Sequence, residues 1–512
     1  MKALLLHPDR DFDWTQEWPS QKQAFIQDLE LEAVLRGMAG EDPFLFETCR
    51  KVLLSSLGND PETIRYRQAV LNDGLRNAAL MRQLYDLAVE STEMKEKNRS
   101  LSFFWRSPGG ILYDSTECLG AFMSRLLKLR DMAETDAPKF SSPGFVGLFA
   151  MLRRELDDRF FSDLRNHLAE LKFPRGVLLS AELGEGNIGA NHVLRLSRKP
   201  RGNRFKRMFG KRPPAYSFRI AERDESGARS LSELRDRGIN LVANALAQST
   251  DHILSFFTML RSELAFYIGC LNLRNRLADL NVATSFPRTA PPGAPVLHFE
   301  GLSDISLALA MKGNVVPNAV EATGKRLVII TGANQGGKTT FLRSVGLAHV
   351  MMQGGMFVAA KSFVADVCPT LFTHYKREED VSMTSGKLDE ELRRMSDIVD
   401  GLEPNSLLLL NESFASTNER EGSEIARQIV SALLEKHIKI FFVTHLYDFA
   451  HGFHERTRDD VLFLRAERRD DGVRTYKLVE GEPLETSYGE DLYRQVFDNG
   501  GPDGRSAAPP PE

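Results

Sequence analysis

The segment TGANQGGKTT, Thr331 to Thr340, places Gly332, Gly337, Lys338 and Thr339 in the pattern G-x-x-x-x-G-K-[ST]. That spacing describes a device for holding phosphate. Glycines let backbone N–H groups close around phosphate oxygens, the lysine reaches the β and γ phosphates, and the hydroxyl beside it can face Mg²⁺. Ala333, Asn334, Gln335, Gly336 and Thr340 complete the expected ATP cradle. Hydrolysis further needs a carboxylate to act on water and a group that senses the γ phosphate. Glu412, after the apolar run Leu407 to Leu410, and His445, at the end of IKIFFVTH, are the two candidates. Ahead of Glu412 stands Asn411 where Asp is expected, so Thr339 and Asn411, the latter through a water, are the candidate Mg²⁺ contacts.

These residues need strands to deliver them. The run LVII, Leu327 to Ile330, leads into the glycine loop, and a helix beginning near Thr340 would add its N-terminal dipole. The runs LLLL and IKIFFV read as buried parallel strands, and from about Val296 to Asn499 strands alternate with helices, the texture of an α/β domain. Upstream, apolar residues recur at helical spacing from Ser20 to about Lys172 and again from Leu231 to Leu280. Between them VLLSAEL, HVLRLS and YSFRIAER alternate as strands would, and TSFPRTAPPGAPVL reads as a linker. The expectation is a multidomain chain: a helical core over 1–175, a β insertion with a basic loop over 176–225, a long lever helix over 226–285, an α/β P-loop ATPase domain over 286–499, and a disordered tail over 500–512.

Composition sets the limits. A length of 512 residues with 42% hydrophobic and 27% charged residues is that of a globular protein of about three domains. A formal net charge of −4 leaves nucleic-acid affinity to a local patch. One exists: Arg195 to Arg212 carries nine basic residues, and no acid occurs between Asn187 and Ala221. Arg198, Lys199, Arg201, Arg204, Lys206, Arg207, Lys211 and Arg212 are the candidate DNA contacts through phosphate, with Phe205 and Phe209 placed to stack; the other reading is a solvated hairpin tip that touches nothing. Cys49, Cys118, Cys270 and Cys368 lie far apart, without metal-site spacing. No signal peptide or run of about 20 apolar residues is apparent, so the expected setting is the cytoplasm, with no membrane partner.

TGANQGGKTTFLRSVGL resembles the TGPNMGGKST loop of the MutS family of DNA mismatch repair ATPases, and VTHLYDF is similar to that family's histidine loop. VVPN, ending in Val316, Pro317 and Asn318, resembles its nucleotide-base cradle; LELEAVLRGMAGEDPF and DPETIRYRQAVLND resemble the opening of its helical core. The resemblance covers most of the chain and is closest from Lys325 to Phe449. It implies a helical core and lever on an ABC-type ATPase domain, an ATP-dependent homodimer, and binding of mismatched or branched DNA in repair or recombination. By position it makes Asn334 a γ-phosphate contact and Glu412 the residue that orients water. SMTSGKLDEE would be the family's signature loop, with Ser385 completing the partner's site, or else a Ser/Gly turn before a charged helix. The sequence opens directly in the part that resembles the helical core, so mispair recognition by the Phe-x-Glu wedge of the family's N-terminal domain is not expected of it. Two other readings stand beside this one: a nucleotide-gated DNA-binding scaffold with little hydrolysis, favoured by Asn411, and an ATPase that acts on a protein partner.

Overall fold

The structure is a computed structural model and describes residues 1–15, 22–102, 107–174, 176–195, 216–291, 293, 295–313, 315–377, 386–456, 458–469 and 471–484. Contacts divide the chain into two units, one made of residues 1–4, 79–141 and 145–264, the other of residues 5–78, 142–144 and 265 onward. The protein is thus a mixed helical and α/β multidomain chain.

Four helices open the second unit: α1 (Lys22–Asp28), α2 (Leu31–Ala39), α3 (Pro43–Leu54) and α4 (Pro61–Arg76). Two start at Asp-Pro. Asp42 accepts from the backbone N–H of Phe44 and Leu45, and Asp60 from those of Glu62 and Thr63, while the proline supplies a helical φ where no N–H is needed. On α2 the buried residues Leu31, Val34, Leu35 and Met38 follow the helical repeat and form one face.

The first unit holds α5 (Ala78–Ser102) from residue 79, α6 (Pro108–Thr135), α7 (Pro143–Glu155) from residue 145, α8 (Asp158–Leu171), the antiparallel strands β1 (Leu178–Leu183) and β2 (Gly189–Arg195), and helix α9 (Glu225–Asp279) up to residue 264. Leu112, Ile239 and Ala243 form a small core there, flanked by Leu171, Phe173, Val177 and Leu194. The third alternating segment, YSFRIAER, forms no strand. Tyr216 is 94% exposed and Phe218 80% exposed, so neither face of the alternation is buried and nothing fixes it in a sheet. Helix α9 runs for 55 residues and does contain an 18-residue stretch with the length and apolar content of a membrane span. Two thirds of that stretch is buried inside the protein, so internal packing accounts for it.

In the second unit come β3 (Arg288–Ala290), β4 (Leu297–Leu302), α10 (Ile305–Met311), β5 (Asn318–Glu321), β6 (Leu327–Gly332), α11 (Lys338–Gln353), β7 (Ser362–Asp366), β8 (Leu371–Tyr375), α12 (Lys387–Gly401), β9 (Leu407–Asn411), α13 (Glu419–Glu435), β10 (Lys439–Val443), α14 (Tyr447–His454), β11 (Val461–Arg468) and β12 (Arg474–Glu480). The stretch read as a linker contains β3, which pairs in parallel with β7 at the edge of a four-stranded sheet. Pro287 and Pro291 flank it rather than interrupt it, as an edge strand allows.

The larger sheet has the order β12-β11-β6-β10-β9-β8, parallel throughout except for β12. Leu327 to Ile330, Leu407 to Leu410 and Ile440 to Val443 are all buried, which explains their unbroken apolar runs: both faces of these strands are covered. Helix α11 lies so close to its neighbours that a Cβ at Gly346 would sit 2.7 Å from both Leu29 and Leu409. Arg343, on the same helix, pairs with Asp304 at 2.6 Å and with Glu30. The N-terminal helices thereby brace the helix that succeeds the glycine loop.

Candidate functional site

Parallel strands end together, so the residues just past their C-terminal ends gather at one edge of the sheet. Here β6 lies beside β10, and β10 beside β9. The first delivers the glycine loop, the second His445, and the third Asn411 and Glu412. A pocket of about 470 Å³ opens there, within the usual range for small-molecule sites.

Its floor is the loop itself. Gln335 and Gly337 adopt left-handed backbone conformations, φ 60° and 90°, which turn successive peptide units around the cavity before α11 begins at Lys338. Lys338 is buried and donates from Nζ to the carbonyls of Gly332 at 2.8 Å and Ala333 at 3.0 Å. Desolvation lowers its pKa to about 8, with Glu412 acting in the opposite direction and Arg474 reinforcing the drop. Thr339 donates from Oγ1 to Oδ1 of Asn411 at 3.1 Å, so the amide occupies the place from which a carboxylate would face the hydroxyl.

Glu412 has a φ of 54°, a left-handed conformation that a β-strand continuation would not choose. It is held by its N–H, which donates to the carbonyl of Val443 on β10 at 2.8 Å. This turn brings Oε1 to 3.2 Å from Nε2 of His445. The hydrogen bond from His445 is the main reason the Glu412 carboxyl lies below its ordinary pKa; burial opposes the shift, and the charges of His445, Lys376 and Lys338 add to it. The carboxylate is therefore ionised at neutral pH and partnered by an imidazole.

Of the expected residues, Val316, Asn318, Asn334, Gln335, Gly336, Gly337, Lys338, Thr339, Thr340 and Glu412 line the pocket, and Gly332 and Ala333 hold the lysine beneath it. Pro317 does not line it; its carbonyl accepts from Lys477 Nζ. Asn318 is fixed from β12, donating to the Tyr476 carbonyl at 3.3 Å and accepting from Leu478 N–H at 2.8 Å. Ser385 and the basic residues Arg198, Lys199, Arg201, Arg204, Lys206, Arg207, Lys211 and Arg212 lie outside the described residues. The sequence motifs missed Tyr476, Asp304 and the apolar wall of Leu302, Leu307 and Met311, which are also part of the lining. An aromatic late in the chain and a short helix carry no spacing relative to the glycine loop, so no motif could have announced them.

Mg²⁺ keeps much of its water shell and takes phosphate oxygens, so it needs few protein ligands. Among the described residues no cluster of three or more His, Cys, Asp or Glu could form a cage for a metal ion. Two adjacent side-chain oxygens, Thr339 Oγ1 and Asn411 Oδ1, are the donor set that fits such an ion.

Similarity to known proteins falls in two segments of the chain. Residues 59–280 match the MutS2 N-terminal domain, and residues 328–496 match MutS domain V. Among similar proteins, the DNA mismatch repair protein MutS of Lactobacillus acidophilus is 29% identical over 223 residues, 41% of this chain and 26% of that protein. MutS protein homolog 4 of Mus musculus is 25% identical over 293 residues, 54% of this chain and 29% of that protein. The DNA mismatch repair protein MutS of Thermotoga neapolitana is 33% identical over 170 residues, 33% of this chain and 21% of that protein. The chain thus spans less than a third of the length of these relatives.

Proposed function

The chain belongs to the MutS family, and from that premise we propose that it is a DNA-binding ATPase whose nucleotide site is the pocket at the ends of β6, β10 and β9. The observation that carries the proposal is the convergence of a buried cation, Lys338, with a hydroxyl–amide pair and a carboxylate–imidazole pair around one cavity. In the free protein Lys338 is held by loop carbonyls; the β and γ phosphates of ATP would take over that ammonium. Val316 and Asn318 border the base, and Asn334 meets the γ phosphate. Glu412 orients the attacking water and accepts its proton, and His445, beside it, responds to the γ phosphate. Thr339 and, through a water, Asn411 would hold Mg²⁺, which would supply positive charge to the phosphates.

In this reading the protein works as an ATP-dependent dimer, with Ser385 of each protomer completing the other's site. The α/β region from 286 to 499 is its ATPase domain, the helices of 1–175 and 226–285 its core and lever, and the segment 176–225 its DNA-contacting insertion. Competition binding among mismatched, branched and plain duplex DNA, with and without ATP, tests the DNA half. Neutralising Arg201, Arg204, Lys206 and Arg207 should flatten the salt dependence by up to about 0.9 log units per lost phosphate contact. An unchanged salt slope would assign DNA binding to another surface.

The hydroxyl–amide pair also favours a second reading, a nucleotide-gated scaffold with little turnover. Asn keeps the shape of Asp and one acceptor oxygen but gives up the charge that attracts the metal. A slow ATPase with weak Mg²⁺ affinity is the expected result, and Asn411→Asp should lower the Mg²⁺ needed for half-maximal hydrolysis about tenfold, or about 1.4 kcal/mol. A Mg²⁺ titration of both proteins decides: no turnover by the parent at any concentration supports the scaffold, and an unchanged midpoint removes Asn411 from the metal site.

A further inference from the structure

One cation beside the pocket has no role in the proposed hydrolysis. Arg474 opens β12, and two residues along that strand Tyr476 lines the pocket and covers the loop, its Cβ 3.6 Å from where a Cβ on Gly337 would stand. The start of β12 therefore lies next to the cavity, although Arg474 itself is not among its lining residues. Nε and Nη2 of Arg474 are shielded from solvent, and neither has a hydrogen-bond acceptor among the described residues. The nearby carboxylate of Glu467 is engaged elsewhere, accepting from Thr475 Oγ1 at 2.7 Å. The charge of Arg474 reaches Lys338, where it adds to desolvation in disfavouring the charged lysine.

Shielding guanidinium N–H groups without an acceptor is unfavourable, and a second cation close by adds to the cost. Glu412 is the acid that acts on Lys338 in the opposite sense, but it is bonded to His445. Two cations and one engaged carboxylate leave this corner short of negative charge. A polyphosphate would supply it, and a guanidinium binds phosphate oxygens through paired N–H donors.

We propose that Arg474 is a phosphate-binding residue of this site, donating from its guanidinium to the distal phosphates of the nucleotide that Lys338 also holds. This rests on the nucleotide reading and adds a residue that the glycine-loop pattern does not contain. The role is electrostatic and orienting, with no bond made or broken.

Equilibrium binding of ATP, ADP and AMP, each with Mg²⁺, should be measured for the parent, Arg474→Gln, Arg474→Lys and Arg469→Gln. The last removes an exposed arginine just beyond β11 and controls for net charge. Arg474→Gln is expected to weaken ATP and ADP by about tenfold or more, the worth of one charge-assisted hydrogen bond, and to leave AMP as in the parent. Arg474→Lys should recover part of the loss, and Arg469→Gln should match the parent. Equal binding of ATP and ADP by parent and Arg474→Gln, or an equal loss for all three nucleotides, overturns the assignment while leaving the nucleotide site standing. A parent that binds no nucleotide overturns both. If thermal unfolding shows that Arg474→Gln does not fold, Arg474→Met, which keeps the aliphatic stem, takes its place with the same two outcomes.

Discussion

Lys338→Ala abolishes nucleotide binding in the working range of the parent. The ammonium is the buried cation of the glycine loop, and its two acceptors, the carbonyls of Gly332 and Ala333, point their partial negative charge at the same spot. Removing it would take away the charge proposed to meet the phosphates and leave those carbonyls facing them. The loss should be ~100-fold or more, as two hydrogen bonds to a charged donor would give. A second signature separates this from general damage. Burial lowers the lysine pKa to about 8 in the free protein, so its charged form predominates below that value and declines as pH rises through it. Phosphate favours the charged form, so the affinity of the parent should fall as pH rises above about 8, and the residual affinity of Lys338→Ala should lack that fall. Fluorescent-nucleotide titrations from about pH 7 to 10 read both effects. A parent with flat affinity across that range would place Lys338 away from the phosphates.

The positions of Lys338, Thr339, Glu412 and His445 were legible because each comes after a strand that is buried on both faces and therefore reads as an unbroken apolar run. Such a run ends where the sheet ends, and the polar residue after it stands at the edge where ligands bind. Asn411 was legible for the same reason, as the last residue of LLLLN. Tyr476 and Arg474 were not. They belong to the strand that, among the described residues, is antiparallel in the larger sheet, and the position of Tyr476 over the loop depends on β12 turning back along β11, which no local spacing encodes.

Elsewhere the sequence supplied the elements but not their neighbours. Helical periodicity identifies helices, yet it is silent on whether α1 to α4 pack with the other helices or with the sheet. Contacts place residues 5–78 in the unit that contains the glycine loop, with Leu29 against Gly346 and Glu30 on Arg343. YSFRIAER alternates as a strand should but buries neither face, whereas Arg288 to Ala290, amid prolines, pairs at an edge where flanking prolines are tolerated. In both cases the tertiary partner, or its absence, overrode the local pattern.

Glu412→Gln should leave nucleotide affinity within about twofold and lower kcat by ~10²- to 10⁴-fold, the usual contribution of a positioned general base. Glutamine is the informative replacement because it keeps an oxygen for the bond from His445 and nearly the same volume. It also retains a β-carbon and side chain close to those of glutamate, so any cost of the left-handed backbone at φ 54° stays similar. What changes is basicity. The parent carboxyl is held below its ordinary pKa first by His445, with Lys376 and Lys338 adding their charges, so it is ionised above the usual carboxylate range and loses that state only as pH falls through its depressed value. Turnover by the parent should therefore persist down to the ordinary carboxylate range and fall below it. His445→Ala removes the main cause of the depression and should move that acid limb to higher pH, while lowering kcat less than Glu412→Gln does. Single-turnover hydrolysis and equilibrium binding across pH measure these quantities separately. If Glu412→Gln hydrolyses ATP at the parent rate, the base lies elsewhere and the strained turn at Glu412 serves only to close the end of β9. If His445→Ala leaves the acid limb in place, the contact at 3.2 Å is not what sets the charge of the carboxylate during turnover.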